Sequence, residues 1–319
     1  MQRIYNCLAA LMLVCVNLAS GANAADWPNR TVKIITPQPA GTGIDLAARL
    51  FAERLSVRWG QGVIVENRPG ADGVFGVTAF VNARDDHTLL FSFGSPITIS
   101  PFTSENKLAY DPSADLVPIG SVVDFILGFS AGNSTDVATL AQLDQAVRQN
   151  PDKFNWGATA GLPQFVFAGY AKKANLMVTE VPYKDLTPAL MDLTSGRIQF
   201  FATSYASLRA TFDARQARML VVLNSVRAPM LPDVPTMTEL GYPEFSVDSF
   251  AGFFGSKGIR DDIRQKVASD IKAVGEEPET AQRLEKFGMV IKVTGPDDFS
   301  AMIRKQADTV VAILRSISR

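Results

Sequence analysis

The stretch 31-TVKIITPQPAGTGIDLAAR-49 reads as a buried strand, a Gly/Pro loop and the start of a helix in immediate succession. Val32, Ile34 and Ile35 supply the strand; Pro37 and Pro39 then stop sheet pairing, and Gly41 and Gly43 allow close approach of the backbone. From there Ile44, Leu46, Ala47, Ala48, Leu50, Phe51 and Leu55 recur at helical spacing, so a helix is expected to open near Gly43. The first N–H groups of a helix have no partner within it, and the aligned peptide dipoles add partial positive charge. Such a loop can hold an anion with no lysine or arginine. An ordinary strand-to-helix turn would carry the same pattern. A dinucleotide fingerprint fits less well, because Leu46 stands where Gly41-Thr42-Gly43 would need a third small residue and prolines are foreign to that motif.

Upstream, Met1 to Ala24 has a positive start at Arg3, an apolar run from Leu8 to Leu18 and Ala22-Asn23-Ala24 as a small-x-small cleavage site, the pattern of a secretory signal peptide. The apolar run is short of the roughly 20 residues that a membrane span needs. Both cysteines, Cys7 and Cys15, lie in this segment, so an exported chain cut after Ala24 has no thiol for a disulfide, a nucleophile or a metal. Removing Arg3 leaves 30 basic against 32 acidic residues, a formal charge of −2, with no basic run suited to nucleic acid. His87 is the only histidine, which excludes a multi-histidine zinc site and leaves one candidate for any Ser-His-Asp triad. In Asp85-Asp86-His87-Thr88 it is expected in a solvated turn before a strand. No cofactor and no metal are expected.

Downstream, Val63-Ile64-Val65 reads as a strand running into 66-ENRPGADG-73, a turn in which Pro69 fixes φ, Gly70 and Gly73 suit positive φ, and Arg68 is expected to clamp onto Glu66 or Asp72. Val74 to Val81 reads as a helix and Thr88 to Phe93 as a strand, followed by the small-residue loop Gly94-Ser95-Pro96-Ile97-Thr98. Val117 to Ser130 is extended and apolar, a crossing between domains. The opening device recurs at Phe154 to Ala174: a strand, the loop Gly157 to Gly161, and a helix with Pro163 near its first position. Strand and helix then alternate as far as Leu223, with a short helix expected before Gly241. A second extended crossing spans Phe245 to Phe254. Two amphipathic helices, Asp261 to Gly275 and Pro278 to Phe287, a strand at Val290 to Val293 and a last helix from Pro296 to Ile317 close the chain. Two crossings imply a first domain built from both ends of the chain, 25–124 and 249–319, and a second at 125–248. Hinge strands are expected near Val122 to Phe125 and Val247 to Phe250.

Four motifs occur in order: PQPAGTGIDLAAR at Pro37 to Arg49, VENRPGADG at Val65 to Gly73, VPYKDLTPAL at Val181 to Leu190 and LPDVPTMTELGYPEF at Leu231 to Phe245. Together they resemble the Bug family, periplasmic solute receptors of tripartite tricarboxylate transporters. The resemblance covers essentially the whole chain after the leader. It implies an α/β fold of the two-domain periplasmic binding protein kind (type II, Venus-flytrap), closing on a small organic acid in the interdomain cleft and serving membrane transporter subunits as a monomer in the periplasm. Members similar to this chain have a more Gly-rich first loop and often a histidine in the second-domain loop, where Thr42, Ile44 and Gln164-Phe165 stand here. An apolar lean to the pocket is expected from Ile44, Phe165 and Tyr205.

The expected ligand site comprises Ala40, Gly41, Thr42, Gly43, Ile44 and Asp45 from the first loop, Ser95 and Pro96 from the second, Thr159, Ala160, Gly161 and Gln164 from the third, and Tyr183, Thr203, Ser204 and Tyr205. Backbone N–H groups are expected to grip the carboxylate, with Gly43 as the position most sensitive to an added side chain. The competing mechanism is an arginine clamp from Arg68, Arg209 or Arg227. From other classes, an exported hydrolase would have to combine Ser95 or Ser204 with His87 without a Gly-x-Ser-x-Gly elbow. A periplasmic sensor would share the fold and differ in its partner.

Overall fold

A computed structural model of the chain describes residues 27–183 and 185–318; the expected signal peptide lies outside them, as does Lys184 of the VPYK motif. The opening stretch folds as its pattern requires, with strand β1 at Val32–Thr36 and helix α1 at Gly43–Trp59. Thr42 caps the helix, its hydroxyl accepting the Asp45 N–H, and Gly60 ends it in the left-handed region. Then follow β2 (Val63–Asn67), α2 (Val74–Ala83), β3 (Thr88–Phe93), β4 (Leu116–Phe125) and β5 (Leu127–Gly132). Next come α3 (Leu140–Gln149), β6 (Asn155–Ala158), α4 (Leu162–Lys173), β7 (Thr179–Glu180), α5 (Leu186–Ser195), β8 (Phe200–Ser204), α6 (Tyr205–Asp213) and β9 (Ala217–Val222). The chain closes with β10 (Ala251–Ser256), α7 (Asp261–Gly275), α8 (Pro278–Lys286), β11 (Met289–Ile291) and α9 (Pro296–Ser318).

Among the described residues the strands form two sheets, in the orders β11-β4-β10-β3-β1-β2 and β7-β6-β8-β5-β9. In the first, β1 runs parallel to β2 and β3, while β10 is inserted antiparallel between β3 and β4. The second repeats the plan, with β6 parallel to β7 and β8 and β5 antiparallel between β8 and β9. In each sheet the antiparallel insert is the strand that has just crossed over from the other lobe. The outgoing crossing is Ile126, between β4 and β5, and the return precedes β10. Helices cover both faces of each sheet. One core packs Phe51, Phe91 and Phe253 under α1 and α7, and the other packs Phe129, Trp156, Phe167 and Tyr170 under α3 and α4.

Helix α9 belongs to both lobes, whereas its place in the chain assigns it to the first alone. Phe299 at its start is buried against Phe250 and Phe254, while Val310 and Ile313 are buried in the core of the second lobe. Two further expectations are corrected. Gly94 to Thr98 is not an open loop: Ser95–Ile99 forms a π-helical turn leading into a one-turn helix at Ser100–Thr103. The short helix expected before Gly241 is a series of turns, in which Glu239 caps Thr236 and holds Arg227.

Candidate functional site

The parallel strands of both sheets end at the same gap, as open α/β sheets place their ligand crevices. A cavity of about 290 Å³ lies there between the lobes. From the first lobe it is lined by Gln38 and Ile44 around the start of α1, by Asp72, and by Phe93, Gly94, Ser95 and Ile99 after β3. From the second come Thr159, Ala160, Leu162 and Pro163 at the start of α4, and Thr203, Ser204 and Ser207 at the end of β8 and in α6. Phe125, Leu127, Ser249 and Gln306 form its floor at the crossings. Three larger hollows, of about 550, 610 and 490 Å³, lie on the outer side of the first lobe beside Phe102, Lys257 and Trp59. They are away from the strand ends, so the smaller interdomain cavity is the better candidate.

Six of the expected residues line this cavity: Ile44, Ser95, Thr159, Ala160, Thr203 and Ser204. Thr159 and Thr203 are joined hydroxyl to hydroxyl at 3.2 Å, and Ser204 caps α6 by accepting the Ser207 N–H. Gly161 adjoins them at φ +97°, where a side chain would be strained, and a Cβ built on it would stand 3.5 Å from Ser95 Oγ of the opposite lobe. Among the described residues the N–H groups of Ala160, Gly161 and Leu162 have no acceptor, and neither do those of Ala40, Gly43 and Ile44. Both lobes therefore present helix N-termini at the gap.

The other expected contacts are drawn elsewhere by local partners. Asp45, 1% exposed, is a brace. Its carboxylate accepts the Gly41 N–H at 2.8 Å, the Asn67 amide at 2.8 Å and the Arg49 guanidinium at 3.0 Å, so neither Asp45 nor the Gly41 amide is available to a ligand. Burial alone would lift that carboxyl, but Arg49, Gly41 and Asn67 together outweigh it and hold it below the ordinary value. Thr42 is occupied as the cap, its hydroxyl donating to the Pro39 carbonyl. Gly43 has no positive φ, and a Cβ there would meet only Met289 at 3.6 Å; the left-handed glycine of the loop is Gly41, at φ +83°. Pro96 packs inward, with its carbonyl accepting the Tyr110 hydroxyl. Gln164 donates to Glu180, the Tyr183 hydroxyl donates to Asp192, and Tyr205 stacks on Phe212.

The arginine candidates are likewise engaged: Arg68 with Glu66, Arg209 with the Lys286 carbonyl and Arg227 with Glu239. Among the described residues no lysine or arginine lines the cavity. His87 is not solvated but 4% exposed, packed on Trp27 and bonded to Asp86. It precedes β3 while Ser95 follows it, a separation of about 20 Å along a six-residue strand. The hydrolase arrangement is therefore not assembled at Ser95, and the Ser204 hydroxyl pairs with Ser207. Among the described residues Asp85 and Asp86, together with His87, form the group whose spacing could admit a cation. Their oxygens are taken up by Arg30, Thr88 and the His87 ring.

Sequence reading missed five polar residues of the cavity, Gln38, Asp72, Ser207, Ser249 and Gln306. Asp72 sits in the turn read as a clamp, which divides its work: Arg68 holds Glu66, while Asp72, at φ 51°, turns its carboxylate to the Ser95 hydroxyl. Gln306 arrives from α9, accepting from Thr98 Oγ1 at 2.6 Å and donating to the Asp248 carbonyl at 2.8 Å. Behind the crossings, Lys292 bridges Asp124 at 3.4 Å and Asp248 at 3.3 Å. Burial costs both carboxylates. Asp248 is held low despite it, by the Ser225 N–H and Lys292, whereas Asp124, sharing the same lysine, is pushed up to about 7. The two acids outweigh the lysine's own desolvation and keep it above its ordinary value.

Two lobes joined by crossing strands, with a small cavity between strand ends and opposed helix N-termini, define a two-domain solute-binding protein of the periplasmic binding protein fold. The chain belongs to the tripartite tricarboxylate transporter family of receptors, whose family model matches residues 47–318. It is 28% identical over 307 residues to the UPF0065 protein in the tcbD-tcbE intergenic region of Pseudomonas sp. strain P51, covering 94% of this chain and 90% of that one. It is 26% identical over 308 residues to protein BugT of Bordetella pertussis strain Tohama I, covering 96% and 94%. Among solved structures, R. palustris Rpa4515 with adipate superposes with a TM-score of 0.80 at 23% identity, covering 92% of this chain and 99% of that one.

Proposed function

We propose that the chain is the periplasmic receptor of a tripartite tricarboxylate-type transporter, capturing a small organic acid between its lobes and presenting it to the membrane subunits. The observation that carries this reading is the pair of helix N-termini, at Gly43-Ile44 and Ala160-Gly161-Leu162, with N–H groups that have no acceptor among the described residues, at a cavity that no lysine or arginine among those residues lines. Backbone donors and helix dipoles provide the positive pole. The adipate in the R. palustris relative is in keeping with an organic acid of this size. Among the described residues no helix is long and apolar enough to cross a membrane. A thermal-shift screen of the purified protein against carboxylic acids tests the reading. A true ligand at 100 times its dissociation constant stabilises by roughly 2.7 kcal/mol, and a screen in which no acid at millimolar concentration raises the melting temperature refutes it.

A further inference from the structure

Among the described residues one charged side chain lines the cavity, and its sign is negative. Asp72 lines the space with its carboxylate, whose only protein partner among the described residues is the Ser95 hydroxyl; no ion pair among those residues includes it. Asp72 is an exposed residue, with no cation beside its carboxylate among the described residues. Partial desolvation lifts this carboxyl above its ordinary value, with the Ser95 hydroxyl alone acting against it. A ligand carboxylate placed beside Asp72 would meet like charge in a confined space, which a receptor for plain dicarboxylates has no reason to provide.

We propose that Asp72 selects the charge of the ligand: the cleft takes a small zwitterion, an amino acid with an apolar body, whose ammonium meets Asp72 and whose carboxylate meets the N-terminus of α4. This rests on the receptor reading above and narrows its organic acid to one that carries an amine. The two poles face each other closely, since Ser95, which holds Asp72, lies 3.5 Å from the Cβ position of Gly161. A ligand touching both must carry its cation and its carboxylate close together, as an α- or β-amino acid does. Apolar side chains make up another part of the wall, at Ile44, Phe93, Ile99, Phe125, Leu127 and Leu162, beside the polar Gln38, Thr203, Ser204, Ser207, Ser249 and Gln306. The apolar side chains accommodate a hydrocarbon body.

The test is calorimetry on the purified full chain with two matched sets of probes: leucine and phenylalanine, and the same molecules without the amine, 4-methylpentanoate and 3-phenylpropanoate. At least one amino acid should bind about tenfold or more tightly than its deaminated match, the scale of a hydrogen bond between charged groups. Asp72→Asn should erase or reverse that preference. Asparagine accepts the left-handed backbone at this position readily and keeps an oxygen for Ser95, so the variant retains the fold. A purely structural role for Asp72 would weaken both sets alike. Deaminated acids that bind the wild type as well as the amino acids do, or a preference unchanged in Asp72→Asn, overturn the assignment while leaving an organic-acid receptor standing. Silence from all four probes together with adipate overturns the assignment and the receptor reading alike.

Discussion

Asp45→Asn removes one charge and no volume from the brace beneath the first cleft loop, and its cost follows from the donors that converge there. The carboxylate receives the Gly41 N–H and Arg49 Nε on one oxygen, and the Asn67 amide at 2.8 Å with a second Arg49 nitrogen at 3.0 Å on the other. An amide keeps one acceptor and sets an NH2 against the donors on the other side. Arg49 is half-exposed and can turn to water, but the Gly41 and Asn67 groups cannot follow it. Weakening two charge-assisted bonds to neutral ones costs about 1 kcal/mol each, and a donor facing a donor adds about 1 kcal/mol more, for a total of about 3 kcal/mol. The pH dependence gives an independent check. Because the folded state holds this carboxyl below its ordinary value of 3.8, the stability it contributes is present above that value and is lost as pH falls through the folded pKa. Urea denaturation at neutral pH should show the deficit, and the acid limb of the stability profile should be shallower in the variant than in the wild type. A variant within about 0.5 kcal/mol of the wild type at pH 7, below the value of even one typical hydrogen bond, would refute the brace.

Two further perturbations follow from the same geometry. Gly41→Ala, at φ +83°, should cost about 1–2 kcal/mol of stability, whereas Gly43→Ala should unfold within about 0.5 kcal/mol of the wild type, because its Cβ meets only Met289 at an ordinary distance; equal losses measured in urea would contradict this assignment. Asp124→Asn should flatten the neutral limb of the stability profile. With the folded carboxyl at about 7 against 3.8 unfolded, its contribution is present below pH 3.8 and is lost as pH rises to 7, at about 1 kcal/mol per pH unit, so wild type and variant should diverge between pH 4 and 7 and run parallel above.

The elements were legible because their signals are local. The alternation of Val32, Ile34 and Ile35 against the helical spacing from Ile44 to Leu55 locates β1 and α1, and Gly161 with Pro163 announces the start of α4. The cavity was legible only as a set of loops. Which side chains of a loop face the gap depends on partners distant in sequence or on bonds between neighbours, and neither shows in periodicity. Asp45 is turned inward by Asn67, 22 residues on, and Tyr183 is claimed by Asp192. Gln306 reaches Thr98 across 208 residues, a juxtaposition that no pattern around either residue carries. The turn at Asn67 to Gly73 held a signal that could have been followed further: an acid between glycines, at a position that needs positive φ, is a side chain presented by its backbone.

Helix α9 is a rod anchored at both ends, with Phe299 set in one lobe and Val310 and Ile313 in the other. A pair of crossing strands alone would leave the lobes able to twist as well as to swing. The rod removes part of that freedom, because a relative rotation must bend a continuous helix or drag one of its buried ends through a packed core, and interiors packed at crystal density resist both. Of the relative motions two such lobes could make, opening and closing about an axis near Gln306, where the rod passes the crossings, is the one that the rod would oppose least. A membrane partner of the kind proposed above would then meet an outer surface that differs between the empty and filled states by a single angle.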